Sequence, residues 1–190
     1  MTPTVDDRDG NLFAPVAATT LWIALIAALC VGGSTVFACA APFAAIAGLA
    51  AAKMDRISGL LLVIVAWAAN QAVGFGFLDY PHTASTYAWG AAIGLGAIAG
   101  YGAARSIVEA GKAPVLSLAL AFVSAFVAYQ TVLYAASFAL GGSDYAFSGE
   151  IVWYVLKINA LSFVGLLLLH RVAISLARPG VPMASKAAST

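Results

Sequence analysis

Apolar residues in this chain fall into long unbroken runs, and polar residues into short clusters between them. From Pro15 to Ala52 there is no charged side chain. That run is roughly 37 residues, and one membrane span needs only about 20, so it reads as two helices or one long bent element. Gly32-Gly33-Ser34 is the natural break, predicting spans at about 15–32 and 35–52. Pro42, inside the second, is expected to kink it, because proline removes a backbone hydrogen bond and crowds the preceding turn. After the short charged loop Lys53-Met54-Asp55-Arg56, further apolar runs predict spans at about 57–78, 84–104, 115–139 and 150–174. Within the fourth, Gly90/Gly94 and Gly96/Gly100 are small-xxx-small pairs that let helix backbones approach closely. The pattern predicts an all-α fold. A six-helix transmembrane domain at 15–175 is flanked by polar tails at 1–14 and 176–190.

Composition fits that pattern. The 190 residues are 63% hydrophobic and only 9% charged, with a mean hydropathy of +0.96. Soluble domains carry about 25% charged residues, so lipid is the expected solvent. A net charge of +1 gives no case for a nucleic-acid partner. Cys30 and Cys39 lie in apolar runs and read as small buried hydrophobes rather than a disulfide framework. Residues 1–13 carry Asp6, Asp7, Asp9 and a single Arg8, the reverse of a basic signal-peptide start, so the first apolar run is expected to be a retained span.

Lys and Arg set the expected orientation. With six spans, Arg8, Lys53, Arg56, Arg105, Lys112, Arg171, Arg178 and Lys186 all fall on one side. The remaining basic residue, Lys157, falls inside the sixth span. Both termini are therefore expected in the cytoplasm.

The candidate chemistry gathers on the opposite side. AANQAVGFGFLDYPHTASTYAWG, residues 68–90, places the amides Asn70 and Gln71 two turns inside the third span. It then crosses the turn Asp79-Tyr80-Pro81-His82 and enters the fourth span near Trp89. Gln130 and Tyr134 on the fifth span, and Trp153, Tyr154, Lys157 and Asn159 on the sixth, lie at comparable depth. Glu150, Tyr154 and Lys157 share one helical face. A lysine inside a span faces a cavity, finds a partner, or snorkels to the surface. The amides fit either a shared pocket or interhelical hydrogen bonds, and the aromatics fit either a pocket or an interfacial belt. His82 has no second histidine near it in sequence, so its one metal-related role would be as ligand to a metal centre carried by a substrate. No GxxxxGK[ST], HExxH or GxSxG motif occurs. The reading is therefore not enzymatic and calls for no resident cofactor.

The whole-chain pattern resembles the substrate-binding S components of energy-coupling-factor vitamin transporters. NQAVGFGFLDYP and the following TYAWG are similar to the small cobalamin-related members. The resemblance implies a multi-pass protein of the bacterial inner membrane, with a vitamin pocket near the outer surface. It also implies a transmembrane coupling subunit and ATPases as partners, with Ala24 and Ala28 at AxxxA spacing on the helix that would meet the coupling subunit. Some of those members have a cysteine cobalt ligand near the outer end of the third helix, where this chain offers His82. The expected function is capture of a small vitamin-like molecule, such as cobalamin or a related corrinoid. Asn70, Gln71, Gln130, Lys157 and Asn159 would hydrogen-bond it. Trp89, Tyr134, Trp153 and Tyr154 would stack on it, and Asp79, Tyr80 and His82 would lie in the turn closing over it. The alternative is a non-transporting accessory or assembly protein in which the same amides only join helices.

Overall fold

The computed structural model describes residues 41–111, 114–142 and 144–177. Among them are five α-helices and no strand. These are α1 (Phe43–Lys53), α2 (Arg56–Phe77), α3 (Ala84–Glu109), α4 (Pro114–Leu140) and α5 (Gly149–Ala177), with a 3-10 turn at Asp144–Phe147 before α5. The helices α2 to α5 are each long and apolar enough to cross a membrane. The expected first span, its Gly32-Gly33-Ser34 break, Ala24, Ala28, Cys30, Cys39 and both tails lie outside the described residues.

The centre of the fold is its shortest helix. α1 is apolar on every side, and a helix of that kind belongs in an interior. Every residue from Phe43 to Ala51 is buried, and α1 touches each of the other four helices. Its small residues make this possible. At Gly48 a side chain would meet the Phe122 backbone of α4 at 3.1 Å and the Phe163 ring of α5 at 3.4 Å.

Pro42 corrects the expected second span. The helix does not run through it with a kink. It starts immediately after, with Pro42 as the N-cap residue and the Pro42 carbonyl accepting from Ile46 N–H at 3.1 Å. Proline is pre-set for a helix start and disfavours helix in the residue before it, and Ala41 is indeed non-helical. The 11 residues of α1 span about 16 Å, roughly half a hydrocarbon core. With Lys53 at the end of the bundle that holds Arg56 and Arg105, the helix begins near the middle of the bundle's depth.

The surface end is fixed by charge. The Arg105 guanidinium donates to the carbonyls of Ala51 at 3.1 Å and Met54 at 2.9 Å, satisfying the end of α1. Glu109 accepts from both Arg105 and Arg56, which explains why α3 runs past the expected end near 104. Asp55 caps α2 by accepting from Ile57 and Ser58 N–H. The Ser58 amide, with Ile57's, holds the Asp55 carboxyl below its usual range. The cap is fully effective above the unfolded carboxyl pKa and fades as pH falls through the lowered folded one.

The glycines of α3 work in two directions. Gly90 and Gly94 face α2, where Gly90 lies against Gln71 Oε1 and a side chain at Gly94 would meet the Trp67 ring at 2.7 Å. Gly96 and Gly100 face α4, where an added side chain would meet the Tyr129 ring at 3.0 Å and the Ala125 carbonyl oxygen at 2.9 Å. Two small-xxx-small pairs offset along one helix thus seat it against two neighbours.

This geometry predicts opposite outcomes for two alanine substitutions in α3. Gly100→Ala pushes a methyl into the α4 backbone and lowers thermal stability in detergent by about 1–3 kcal/mol. Gly102, with nothing within 4 Å, takes alanine with a gain of about 0.5–1 kcal/mol from helix propensity. A Gly100→Ala protein that melts no lower than Gly102→Ala would contradict the close α3–α4 approach.

Candidate functional site

A cavity of about 160 Å³ lies where α1 begins. α2 contributes Asn70 and Gln71, and the turn after it contributes Tyr80. α3 contributes Thr86, Trp89, Gly90 and Ile93, α4 contributes Tyr129, and Ala41 and Phe43 close the side at the start of α1. Helix rise makes these positions agree in depth. Asn70 lies about 21 Å along α2 from Arg56, and Tyr129 about 22 Å along α4 from Pro114. The cavity is thus on the far side of mid-depth from the Arg56–Arg105–Glu109 cluster.

The lining is mostly apolar, and its polar side chains are uncharged. Gln71 Nε2 donates to Asn70 Oδ1 at 3.2 Å, so the adjacent amides act as a pair. The Trp67 indole donates to the Gly90 carbonyl at 2.8 Å and pins α3 beneath them. Tyr80 is seated because Gly74 leaves room for its ring; a side chain there would come within 2.6 Å. Tyr129 is 7% exposed, packs at 6.1 Å from the Phe43 ring, and has no hydrogen-bond partner for its hydroxyl among the described residues. That hydroxyl borders the cavity, where a hydrogen-bonding group fits.

Electrostatics define what that space tolerates. The start of α1 brings the positive end of a helix dipole toward the cavity, an effect of about 0.3–1 kcal/mol on a nearby anion. Burying an ion without a counter-charge costs several kcal/mol. The larger effect wins, and the cavity suits an uncharged polar group.

Of the twelve residues read from the sequence as ligand-binding, Asn70, Gln71, Tyr80 and Trp89 line this cavity, and the other eight do not. Asn159 is fully buried elsewhere. Its Oδ1 accepts from Ala45 N–H at 3.3 Å and its Nδ2 donates to the Val155 carbonyl at 3.0 Å, so it caps the start of α1 from α5. It lies about 15 Å along α5 from Gly149, the same mid-depth at which α1 begins. Trp153, Tyr154 and Lys157 are exposed on α5, and their shared face turns away from the packed helices. Gln130 is half-buried on α4, beside the cavity residue Tyr129. Tyr134 stacks edge-on with Phe138 and Phe147, at 4.9 and 5.3 Å. His82 accepts from or donates to the Tyr87 hydroxyl at 2.6 Å and sits 5.4 Å from the Phe75 ring. It belongs to an aromatic cluster on the turn, and no metal-holding group of side chains occurs among the described residues.

Asp79 has a backbone role. Its φ of 51° is left-handed, a conformation Asp tolerates better than most residues. Around it the Leu78 and Tyr80 N–H groups bond back to the Val73 and Gly74 carbonyls, both at 3.1 Å, and end α2.

Phe43, Thr86, Ile93 and Tyr129 were not expected at the site. Tyr129 had a readable signal. The buried small residues Ser117, Ala121 and Ala125 recur every fourth position on α4, and the next position in that stripe is Tyr129.

Fold and site together define a membrane-embedded helical protein with a neutral, aromatic-lined internal cavity. No family model matches the chain, and no curated protein or solved structure shows significant similarity to it.

Substitution at Asp79 separates a backbone role from a side-chain role. Asp79→Gly should melt at or above the parent temperature, whereas Asp79→Val should lose about 1–2 kcal/mol from the left-handed strain. Equal destabilisation by both would show that the carboxylate, not the backbone, matters there.

Proposed function

We propose that the chain is a membrane substrate-binding protein that captures a small vitamin-like molecule from the extracytoplasmic side. The observation that carries the proposal is the cavity that Asn70, Gln71, Trp89 and Tyr129 line, on the opposite side of mid-depth from Arg56 and Arg105. Positive residues mark the cytoplasmic side of a membrane protein, so this cavity belongs to the outer half. Six spans with both termini inside, and a place in the bacterial inner membrane, complete the proposal. The resemblance to energy-coupling-factor S components supports it, and with it a transmembrane coupling subunit and ATPases as partners. The size of the cavity favours a single-ring molecule, or one ring of a larger one, over a corrin macrocycle enclosed whole.

One observation favours the rival reading of a non-transporting accessory protein. Asn159 spends its amide on the helix backbone, as interhelical glue does.

The test is mass spectrometry of small molecules co-purifying with the full chain, with an absorbance scan for a corrinoid. The expected result is a stoichiometric small molecule, reduced at least about tenfold in a double Asn70→Ala, Trp89→Ala protein, the loss of one or two good contacts. Added back at 100 times its Kd, the molecule should stabilise the parent by about 2.7 kcal/mol. A folded protein that carries nothing, and gains no stability from candidate vitamins, would favour the accessory reading.

A further inference from the structure

The lining of the cavity discriminates by charge. Asn70, Gln71, Tyr80, Thr86, Trp89 and Tyr129 are its polar side chains, and none is ionised at neutral pH. In the sequence, no Asp, Glu, Lys, Arg or His occurs between Asp9 and Lys53. The charged residues Arg56, Arg105 and Glu109 are engaged with one another at the far end. An ionised ligand would therefore lose its hydration and find no opposite charge among these lining side chains. A neutral polar ligand would find the paired amides, the Tyr129 hydroxyl, which has no partner among the described residues, and the aromatic side chains of Trp89, Phe43 and Tyr129. At about 160 Å³ the space matches one six-membered ring, since a cavity of about 150 Å³ takes benzene.

We propose that the cavity selects uncharged single-ring molecules bearing a carboxamide-like group, and rejects their ionised carboxylate counterparts. This rests on the capture reading and narrows it to a substrate class. The amide of such a ligand reproduces what Asn70 and Gln71 offer each other, donor to acceptor. Its ring replaces water against Trp89, and its carbonyl accepts from Tyr129.

The probes are nicotinamide and nicotinate, which share a ring and differ in charge at neutral pH. The full chain in lipid nanodiscs is titrated with each while tryptophan fluorescence is followed, since Trp89 lines the cavity. The expected result is saturable binding of nicotinamide at least about tenfold tighter than nicotinate. Tyr129→Phe keeps the ring against Gly96 and Phe43 but removes the hydroxyl. It should weaken nicotinamide about three- to tenfold without lowering the melting temperature. Nicotinate binding as tightly as nicotinamide overturns the selectivity and leaves the capture reading standing. Binding of neither probe at millimolar concentration overturns the single-ring carboxamide assignment, and the capture reading then rests on the co-purified molecule alone.

Discussion

The structure depends on burying an 11-residue helix that has no polar face. α1 cannot lie against lipid at one side and protein at another without leaving its two ends exposed in a medium that satisfies no backbone group. Its end at Lys53 is served by Arg105, which reaches the Ala51 and Met54 carbonyls. Its start at mid-depth is served by Asn159, which accepts from Ala45. One charged residue and one amide, from helices on different sides, hold a short helix in the centre. Each of the other four helices touches it, and α3 and α4 also pack extensively against one another.

Close approach follows from small residues. Between apolar helices in lipid there is little hydrophobic driving force, so association rests on packing and hydrogen bonds. α3 meets this demand with two glycine pairs on different faces. The cavity is a consequence: α1 begins only at Phe43, so the space beyond its first turn is bounded by α2, α3 and α4 and lined by their aromatic and amide groups.

Much of the framework was legible in the sequence because membrane spans announce themselves by length and hydropathy. The boundaries of α2, α4 and α5 fall within a few residues of the apolar runs, and α3 extends further because the Arg105–Glu109 pair adds a helical turn. Pro42 was read as a kink because sequence alone does not say whether a proline interrupts a helix or starts one. The site was legible where residues are adjacent, as in Asn70-Gln71, Tyr80 and Trp89. It was not legible where depth alone guided the reading. Lys157, Trp153 and Tyr154 sit in the first half of α5 but on its exposed face, and period alone does not fix which face turns inward in a helix apolar nearly all round. Asn159 looked like its fellow amides, yet a buried amide next to a helix start is claimed by the backbone.

The proposed function requires the cavity ahead of α1 to face away from the basic end of the bundle, toward the outside. Thiol accessibility tests it most directly. In a chain carrying Cys30→Ala and Cys39→Ala, Thr86→Cys places one thiol in the cavity lining, and Ser106→Cys places one at the basic end. In right-side-out membrane vesicles, a membrane-impermeant maleimide should label Thr86→Cys directly and Ser106→Cys only after permeabilisation. Labelling of Ser106→Cys from outside, with Thr86→Cys silent, would contradict the account.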